Sequence, residues 1–338
     1  ETSEEVTDWG FDLLGGHHLT ASTNDATVAI LDSGFDVFHP DIADSIVTTE
    51  VFEGTRISDE PFIHGTPIAG IIGAENNSTG TVGIAPGVNL ALGKITDREN
   101  SRASWSAIAA GIQWAVDDAG ADIINISYEG SFPSFVLRSA VEYAASNDVV
   151  CISSAGNDGQ CRDCVRYPAA FESVVAVSSL HRSMSVASHS STGPEIDFIA
   201  PGESISAPTH GGGRHDRWRG TSFAAPYTAG VAALLVEEGY SGSDIITELR
   251  RSAIDTGLTQ NEQGSGRIDA WRAVTRIHSP VAAGSLTQPS EAESLSDLET
   301  IELRANTVRN GDGQLTELVE PYFVAYLPAH YLTGDDGV

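Results

Sequence analysis

Apolar residues along this chain fall into short unbroken runs, and the segments between them carry helical spacing. Residues 26–31, rich in β-branched side chains and closed by Asp32-Ser33-Gly34, predict a buried strand that ends at a carboxylate. Residues 89–95, 122–127 and 149–154 predict three more strands, and 174–178 and 196–199 two shorter ones. Small and apolar residues over 64–74 predict a close-packed helix with His64 at its start, followed by a polar loop over 75–83. Helical periodicity also covers 105–119, 134–146 and 243–252. Strands that are apolar throughout, alternating with helices, predict an α/β fold of three layers, a mostly parallel central sheet covered by helices on both faces. In such sheets functional groups gather at the carboxyl ends of strands, where Asp32 and the turn Ala155-Gly156-Asn157 fall.

One further helix opens at Gly220-Thr221-Ser222-Phe223-Ala224-Ala225-Pro226, because residues 227–235 are small and apolar enough to pack in the interior. A serine on the first turn of a buried helix sits beside free backbone N–H groups and the positive end of the helix dipole. Those groups can stabilise an oxyanion. Taken alone, the same residues read as an ordinary helix cap. Beyond residue 271 the character changes. Residues 279–297 read as an acidic linker containing Ser and Pro, and 298–338 as a short extension with its own apolar pattern, leaving 1–278 as the principal domain. Within that extension Asn310, Asp312 and Gly313 resemble part of a calcium loop, but Val308 stands where the first acidic ligand belongs, so a plain turn is expected.

The charge balance narrows the functional classes. Against 47 Asp and Glu stand 18 Lys and Arg, a formal charge of −29, and Lys94 is the sole lysine. Such a surface repels nucleic-acid phosphate and anionic membranes, so neither partner is expected. It also repels itself unless salt screens it, which suggests adaptation to high salt. The 338 residues can bury a large core, and no apolar run is long enough to span a bilayer. The first residues lack the basic and apolar parts of a signal peptide, as in a cytosolic protein or a chain already trimmed. Of three cysteines, Cys151 sits in an apolar run and reads as a core residue. Cys161 and Cys164 have the spacing of a local disulfide bracing a loop, of two free thiols, or of half a metal site.

Hydrolysing an amide at neutral pH needs an activated nucleophile, a base for its proton and donors for the developing oxyanion. A serine, a histidine and a buried carboxylate supply the first two requirements. Here an aspartate ends a strand, a histidine starts one buried helix and a serine starts another, in the order Asp32, His64, Ser222. Through Asp32-Ser33-Gly34, His64-Gly65-Thr66, Ser154-Ala155-Gly156-Asn157 and the stretch 220–226, the chain resembles the subtilisin-like serine proteases (subtilases), from about residue 8 to residue 278. The resemblance implies Ser222 as nucleophile, His64 as general base and acid, Asp32 as orienting carboxylate, and Asn157 as oxyanion donor beside the Ser222 N–H. It implies a specificity pocket lined by Ser127, Tyr128, Glu129 and Gly130 on one side, Ser154, Ala155 and Gly156 beside them, and Arg166 opposite. Arg102 and Ala103 would belong to an edge strand that pairs with substrate by β-augmentation.

Members of that family commonly bind calcium. Asp41 and Asn77 match side-chain ligands, while Glu75, Thr79 and Thr81 match positions that offer backbone carbonyls; Thr2 stands near the place of an N-terminal glutamine ligand. No organic cofactor is implied. The chain departs from the family pattern where it meets substrate. Phe223 replaces the usual methionine, Glu129 a small residue, and Arg166 a glycine, and the loop 158–165 is shortened and holds the two close cysteines. These changes suggest a pocket narrowed or charged by Arg166, Glu129 and Asp158. The resemblance implies a secreted, extracellular, monomeric endopeptidase acting on protein or peptide substrates through an acyl-enzyme, matured by removal of a propeptide with residue 1 as the processed terminus. The alternatives are a narrow processing protease or transpeptidase, and an inactive fold used as a binding module.

Overall fold

The computed structural model describes residues 5–19, 25–58, 63–96, 103–159, 161 and 163–277, together with the backbone of four strands beyond residue 297. Seven strands form one sheet: β1 (Thr27–Asp32), β2 (Ile46–Val51), β3 (Asn89–Lys94), β4 (Ile123–Ile126), β5 (Val150–Ser154), β6 (Val174–Leu180) and β7 (Ile196–Pro201). Their order is β2-β3-β1-β4-β5-β6-β7, and every neighbouring pair is parallel. From β1 the chain builds outward through β2 and β3, then returns to lay β4 against the other side of β1. The order reverses there, and such a switch point leaves a crevice beyond the carboxyl ends of the two strands. Asp32 ends β1 and Ser127 follows β4, so both stand at that crevice.

Pleating sends alternate residues of a strand to opposite faces. Val28 and Ile30 of β1 accordingly join one core cluster, and Ala29 and Leu31 the other. The first cluster takes in α2 (Gly65–Gly73), α5 (Thr221–Glu237) and α6 (Gly242–Ser252); the second takes in α3 (Trp105–Asp117) and α4 (Phe135–Ser146). The result is the three-layer α/β arrangement that the alternation of runs predicts. Helix α5 lies so close to the segment before β3 that a Cβ at Gly230 would stand 1.8 Å from Ile84 Cγ2. No larger residue fits there without moving one of the two.

Two elements escape the apolar pattern. Strand β2 is only partly buried, as an edge strand is. Strands β8 (Glu203–Thr209) and β9 (Gly213–Arg219) form an antiparallel pair that leads into α5, and β9 is almost wholly polar. Short helices α1 (Trp9–Leu13), α7 (Gln260–Gln263) and α8 (Ala270–Thr275) complete this part. The buried Asp8 caps α1 through Gly10 N–H (2.6 Å), accepts from Ser206 N–H (2.9 Å) and takes the Tyr227 hydroxyl of α5. Cys151, buried in β5, has its thiol pushed up to about 12 by burial, which leaves it protonated and unreactive. No helix among the described residues is long and apolar enough to cross a membrane.

The chain divides into two units, Glu1–Pro280 and Val281–Val338. In the second, β10 (Leu298–Leu303) pairs antiparallel with β13 (Phe323–Pro328), and β11 (Thr307–Arg309) with β12 (Leu315–Glu317). The turn expected at Asn310–Gly313 lies outside the described residues.

Candidate active site

The crevice at the switch point is a cleft of about 230 Å³ lined by Asp32, Ser33, His64, Thr96, Ser127, Tyr128 and Ser222. Asp32 is buried at the strand end, and its carboxylate faces His64 Nδ1 at 2.9 and 3.0 Å while accepting Ser33 N–H at 2.6 Å. Ser33 in turn takes His64 N–H on its hydroxyl (3.2 Å), which sets the start of α2 against the end of β1. Bonding Nδ1 to a carboxylate makes it the protonated nitrogen and leaves Nε2 as the basic one. Burial alone would lower the His64 pKa; the Asp32 charge and hydrogen bond outweigh it and raise the value above that of an ordinary histidine. Thr96 completes this wall by donating to Ser33 O at 3.0 Å.

Ser222 is presented by the first turn of α5. Gly220, at φ 143°, makes the sharp entry that other residues rarely adopt. Pro226 lies inside the helix and has no N–H for the carbonyl four residues back, which is that of Ser222. Ser127 supplies the missing donor: its hydroxyl reaches Ser222 O at 3.1 Å and itself accepts from Asn125 Nδ2 at 3.0 Å. The first helical N–H groups are also divided. Thr221 N–H goes to Asn157 Oδ1 (2.9 Å) and Phe223 N–H to Gly220 O (3.0 Å), whereas Ser222 N–H has no partner among the described residues. Thr221 Oγ1 adds a second bond to Asn157 Oδ1 (3.3 Å) and accepts Gly156 N–H (3.2 Å). With its oxygen held by Thr221, Asn157 offers its Nδ2 donors. The site therefore combines an unpaired backbone N–H, a fixed carboxamide and the positive end of a long helix.

Beside Ser222 three segments come together. Gly130 and Tyr167 exchange backbone bonds at 2.9 and 3.0 Å, and Arg166 N–H reaches Ala155 O at 2.8 Å. Ser154 ends β5, buried, immediately before Ala155. Over Gly156 the side chains crowd inward: a Cβ there would stand 2.6 Å from Arg166 Cγ and 3.1 Å from Glu129 Oε2. Arg166 pairs with Asp158 through Nε. Its hydrogen bond lowers the Asp158 pKa, and the same bond raises that of Arg166. Burial, followed by the Asp158 charge, raises the Glu129 pKa against the opposing pull of Arg166 and the Asn157 amides. The disulfide Cys161–Cys164 closes the adjoining loop, which Thr192 anchors by donating to Cys161 O (2.6 Å) and accepting Cys164 N–H (3.1 Å). Ala103 bridges Thr96 in antiparallel fashion and donates to the Tyr128 hydroxyl at 2.9 Å; Arg102 lies outside the described residues.

The candidate cation loop lies away from the cleft. Asp41 is buried: its Oδ2 accepts Thr81 N–H (2.9 Å) and hydroxyl (3.0 Å), while Oδ1 has no hydrogen-bond partner. That orphan oxygen lies against Gly80, where a Cβ would come within 2.1 Å of it. Asn77 Oδ1 accepts from Thr79 N–H and hydroxyl (3.1 and 2.8 Å), and Glu75 N–H bonds to Asp41 O (2.9 Å). Glu5 closes the loop from outside by taking Asn77 and Ser78 N–H on one carboxylate oxygen (2.8 and 2.7 Å). Thr2 lies outside the described residues. A buried carboxylate oxygen without a donor fits a hard cation.

Thr221, Ser33 and Thr96 are the members of this site that sequence reasoning missed. Only the adjacency of Thr221 to Ser222 could have marked it, because small hydroxyl residues are common at helix starts. The subtilase family matches residues 23–266. Subtilisin E of Bacillus subtilis is 38% identical over 224 residues, which cover 66% of this chain and 58% of that protein. Halolysin of Haloferax mediterranei is 36% identical over 265 residues, 76% of this chain and 50% of its own length. Thermitase of Thermoactinomyces vulgaris is 34% identical over 256 residues, 75% of this chain and 90% of its own. The chain thus spans 58% of the length of subtilisin E and half that of halolysin.

Proposed function

The chain belongs to the subtilase family, and on that premise we propose that it is a serine endopeptidase acting on protein or peptide substrates. The observation that carries the reading is the joint arrangement at the head of α5: Asp32 on His64 Nδ1, Asn157 anchored through its oxygen, and an unpaired Ser222 N–H. In the first half-reaction Ser222 Oγ attacks the scissile carbonyl while His64 Nε2 takes its proton. Asn157 Nδ2 and Ser222 N–H receive the negative charge that develops on the carbonyl oxygen. His64 then hands the proton to the departing amine, leaving an acyl-enzyme, and water repeats the sequence to release the acid. Asn157→Ala should lower turnover about 10²–10³-fold, a magnitude known from this same family.

Fluorophosphonate labelling at molar NaCl tests the assignment. A label that appears on the wild type and vanishes in Ser222→Ala supports it; absence of labelling on folded protein would overturn it and favour a binding module. Arg166, Asp158 and Glu129 restrict the acyl-side pocket, so large aromatic residues before the scissile bond are disfavoured. Arg166→Gly should shift a fluorogenic peptide panel toward aromatic residues there, and an unchanged profile would count against the restriction. Asp41 and Asn77, with carbonyls of Glu75, Thr79 and Thr81, would hold a structural calcium ion; the orphan Asp41 Oδ1 supports that reading. The charge of −29 supports adaptation to high salt, and family membership supports a secreted, propeptide-matured, monomeric enzyme. The catalytic domain is taken as 1–278, with 279–297 as linker and 298–338 as an extension.

A further inference from the structure

Basic residues are scarce in this chain, 18 against 47 acidic ones, yet three of them lie in a single seven-residue strand. That strand is β9, which carries Arg214, Arg217 and Arg219 against one acidic residue, Asp216, and runs directly into Gly220, Thr221 and Ser222. Arg214 is committed to Asp216 at 2.7 Å. Arg217 and Arg219 are exposed and make no ion pair among the described residues. Glu203 stands opposite Arg219 in the ladder, and His189 feels both charges; His215 packs edge-on to Trp218, with ring centroids 5.0 Å apart.

The position of this strand relative to the bond being cut follows from the rings beside it. Trp218 stacks on Phe223 at 5.3 Å, and Phe223 meets His64 at 5.2 Å. Trp218 of β9 therefore stands on the side of the histidine that protonates the departing amine, with Arg217 and Arg219 as its chain neighbours. The other flank is occupied by Ser127–Gly130, Ala155–Asn157 and Arg166, where the acyl portion sits. That acyl flank holds Glu129 and Asp158 against Arg166, one net negative charge, whereas the β9 flank holds Arg214, Arg217 and Arg219 against Asp216 and Glu203, one net positive charge.

We propose that Arg217 and Arg219 form a subsite for acidic side chains on the leaving-group side of the scissile bond. The inference rests on the endopeptidase reading and adds a substrate class to it: peptides with carboxylates just after the cut. The guanidinium groups offer several donors each to a carboxylate, and the opposite sign of the two flanks orients the peptide as well as retaining it. Against the negative field of the whole chain, a local positive strand beside the nucleophile also gives an acidic segment a place to settle.

Two internally quenched peptides decide the matter. They share one acyl-side sequence and differ only after the cleavage point, with two Glu in one and two Gln in the other. Measured at about pH 8 and at the lowest NaCl concentration that preserves the native circular dichroism, the Glu peptide should have the higher kcat/KM, by roughly 3- to 20-fold for two exposed pairs. In the Arg217→Gln/Arg219→Gln variant the ratio should fall to near one, and in the Arg217→Lys/Arg219→Lys variant it should largely persist. Using the ratio cancels any general loss of activity. In wild type alone, raising NaCl to molar levels should shrink the preference, a readout that needs no variant to fold. A ratio near one in wild type, or an undiminished ratio in the Gln variant, overturns the subsite. A 4-nitroanilide substrate with the same acyl side separates the two readings. If wild type cleaves it yet shows no Glu preference, the subsite alone fails; if wild type cleaves nothing, the endopeptidase reading fails as well.

Discussion

Replacing Ser127 by alanine removes the donor that Pro226 makes necessary. In the folded chain Ser127 Oγ gives its proton to Ser222 O (3.1 Å) and accepts one from Asn125 Nδ2 (3.0 Å), and both Ser127 and Asn125 are buried. The Asn125 oxygen already lacks a partner, so Ser127→Ala would leave that amide unpaired at both ends and the Ser222 carbonyl stranded. Leaving a buried polar group unmet costs about 1–3 kcal/mol, which puts the combined loss at roughly 2–4 kcal/mol. At about 2–4 °C per kcal/mol for a domain of this size, the midpoint of thermal unfolding should fall by roughly 4–16 °C. Pro226→Ala restores a backbone N–H four residues beyond Ser222, and the helix can then close its own bond to that carbonyl. With Pro226→Ala already in place, the same Ser127→Ala change should therefore cost about 1 kcal/mol less. Urea unfolding followed by tryptophan fluorescence at molar NaCl measures the cycle, with Ser222→Ala in all four proteins to prevent self-digestion. Equal costs in the two backgrounds, within about 0.5 kcal/mol, would refute the link between proline and serine.

Asp32→Asn should lower kcat by about 10⁴-fold, the loss found for the same change in another Ser-His-Asp protease. It should also move the acid limb of residual kcat/KM to lower pH, since the raising influence of Asp32 is gone and burial, which lowers the His64 pKa, is left. The sign carries over to stability: the His64–Asp32 interaction contributes fully below the unfolded histidine pKa of about 6.5 and is lost as pH rises through the raised folded value. Calcium at a hundredfold excess over its dissociation constant should stabilise Ser222→Ala protein by about 2.7 kcal/mol, and Asp41→Ala should abolish the response; identical calorimetric midpoints with calcium and with chelator would remove the ion. Stability and activity should both rise from low to molar NaCl, and a flat response would dismiss salt adaptation while leaving the peptidase reading intact.

Much of the layout of the candidate site can be read from local chemistry. An apolar β-branched run must end somewhere polar, and Asp32 ends it; a helix of small residues must pack deep, and His64 and Ser222 stand at the starts of two such helices. Strands apolar on both faces force helices onto both sides of a sheet, so the layered architecture follows from periodicity. The polar strand β9 shows where this reasoning stops. Its sequence carries no period-two signal, and it is a strand because β8 offers it a ladder and α5 begins where it ends.

What the chain determined by itself is therefore the α/β class, the helix starts and strand ends, and the residue types able to do acyl-transfer chemistry, because each depends on spacing within a few residues. Tertiary structure alone decided that Ser127 replaces the donor Pro226 lacks, that Thr221 holds the oxygen of Asn157, and that Arg166 and Glu129 meet over Gly156. It alone also brought Trp218 of β9 against Phe223, which meets His64. Most of these pairs are separated by tens of residues, and the contacts form only when the switch between β1 and β4 brings the strand ends to the head of α5. Local patterns carry the burial and the turns; which distant polar groups satisfy one another is decided by the fold that closes around them.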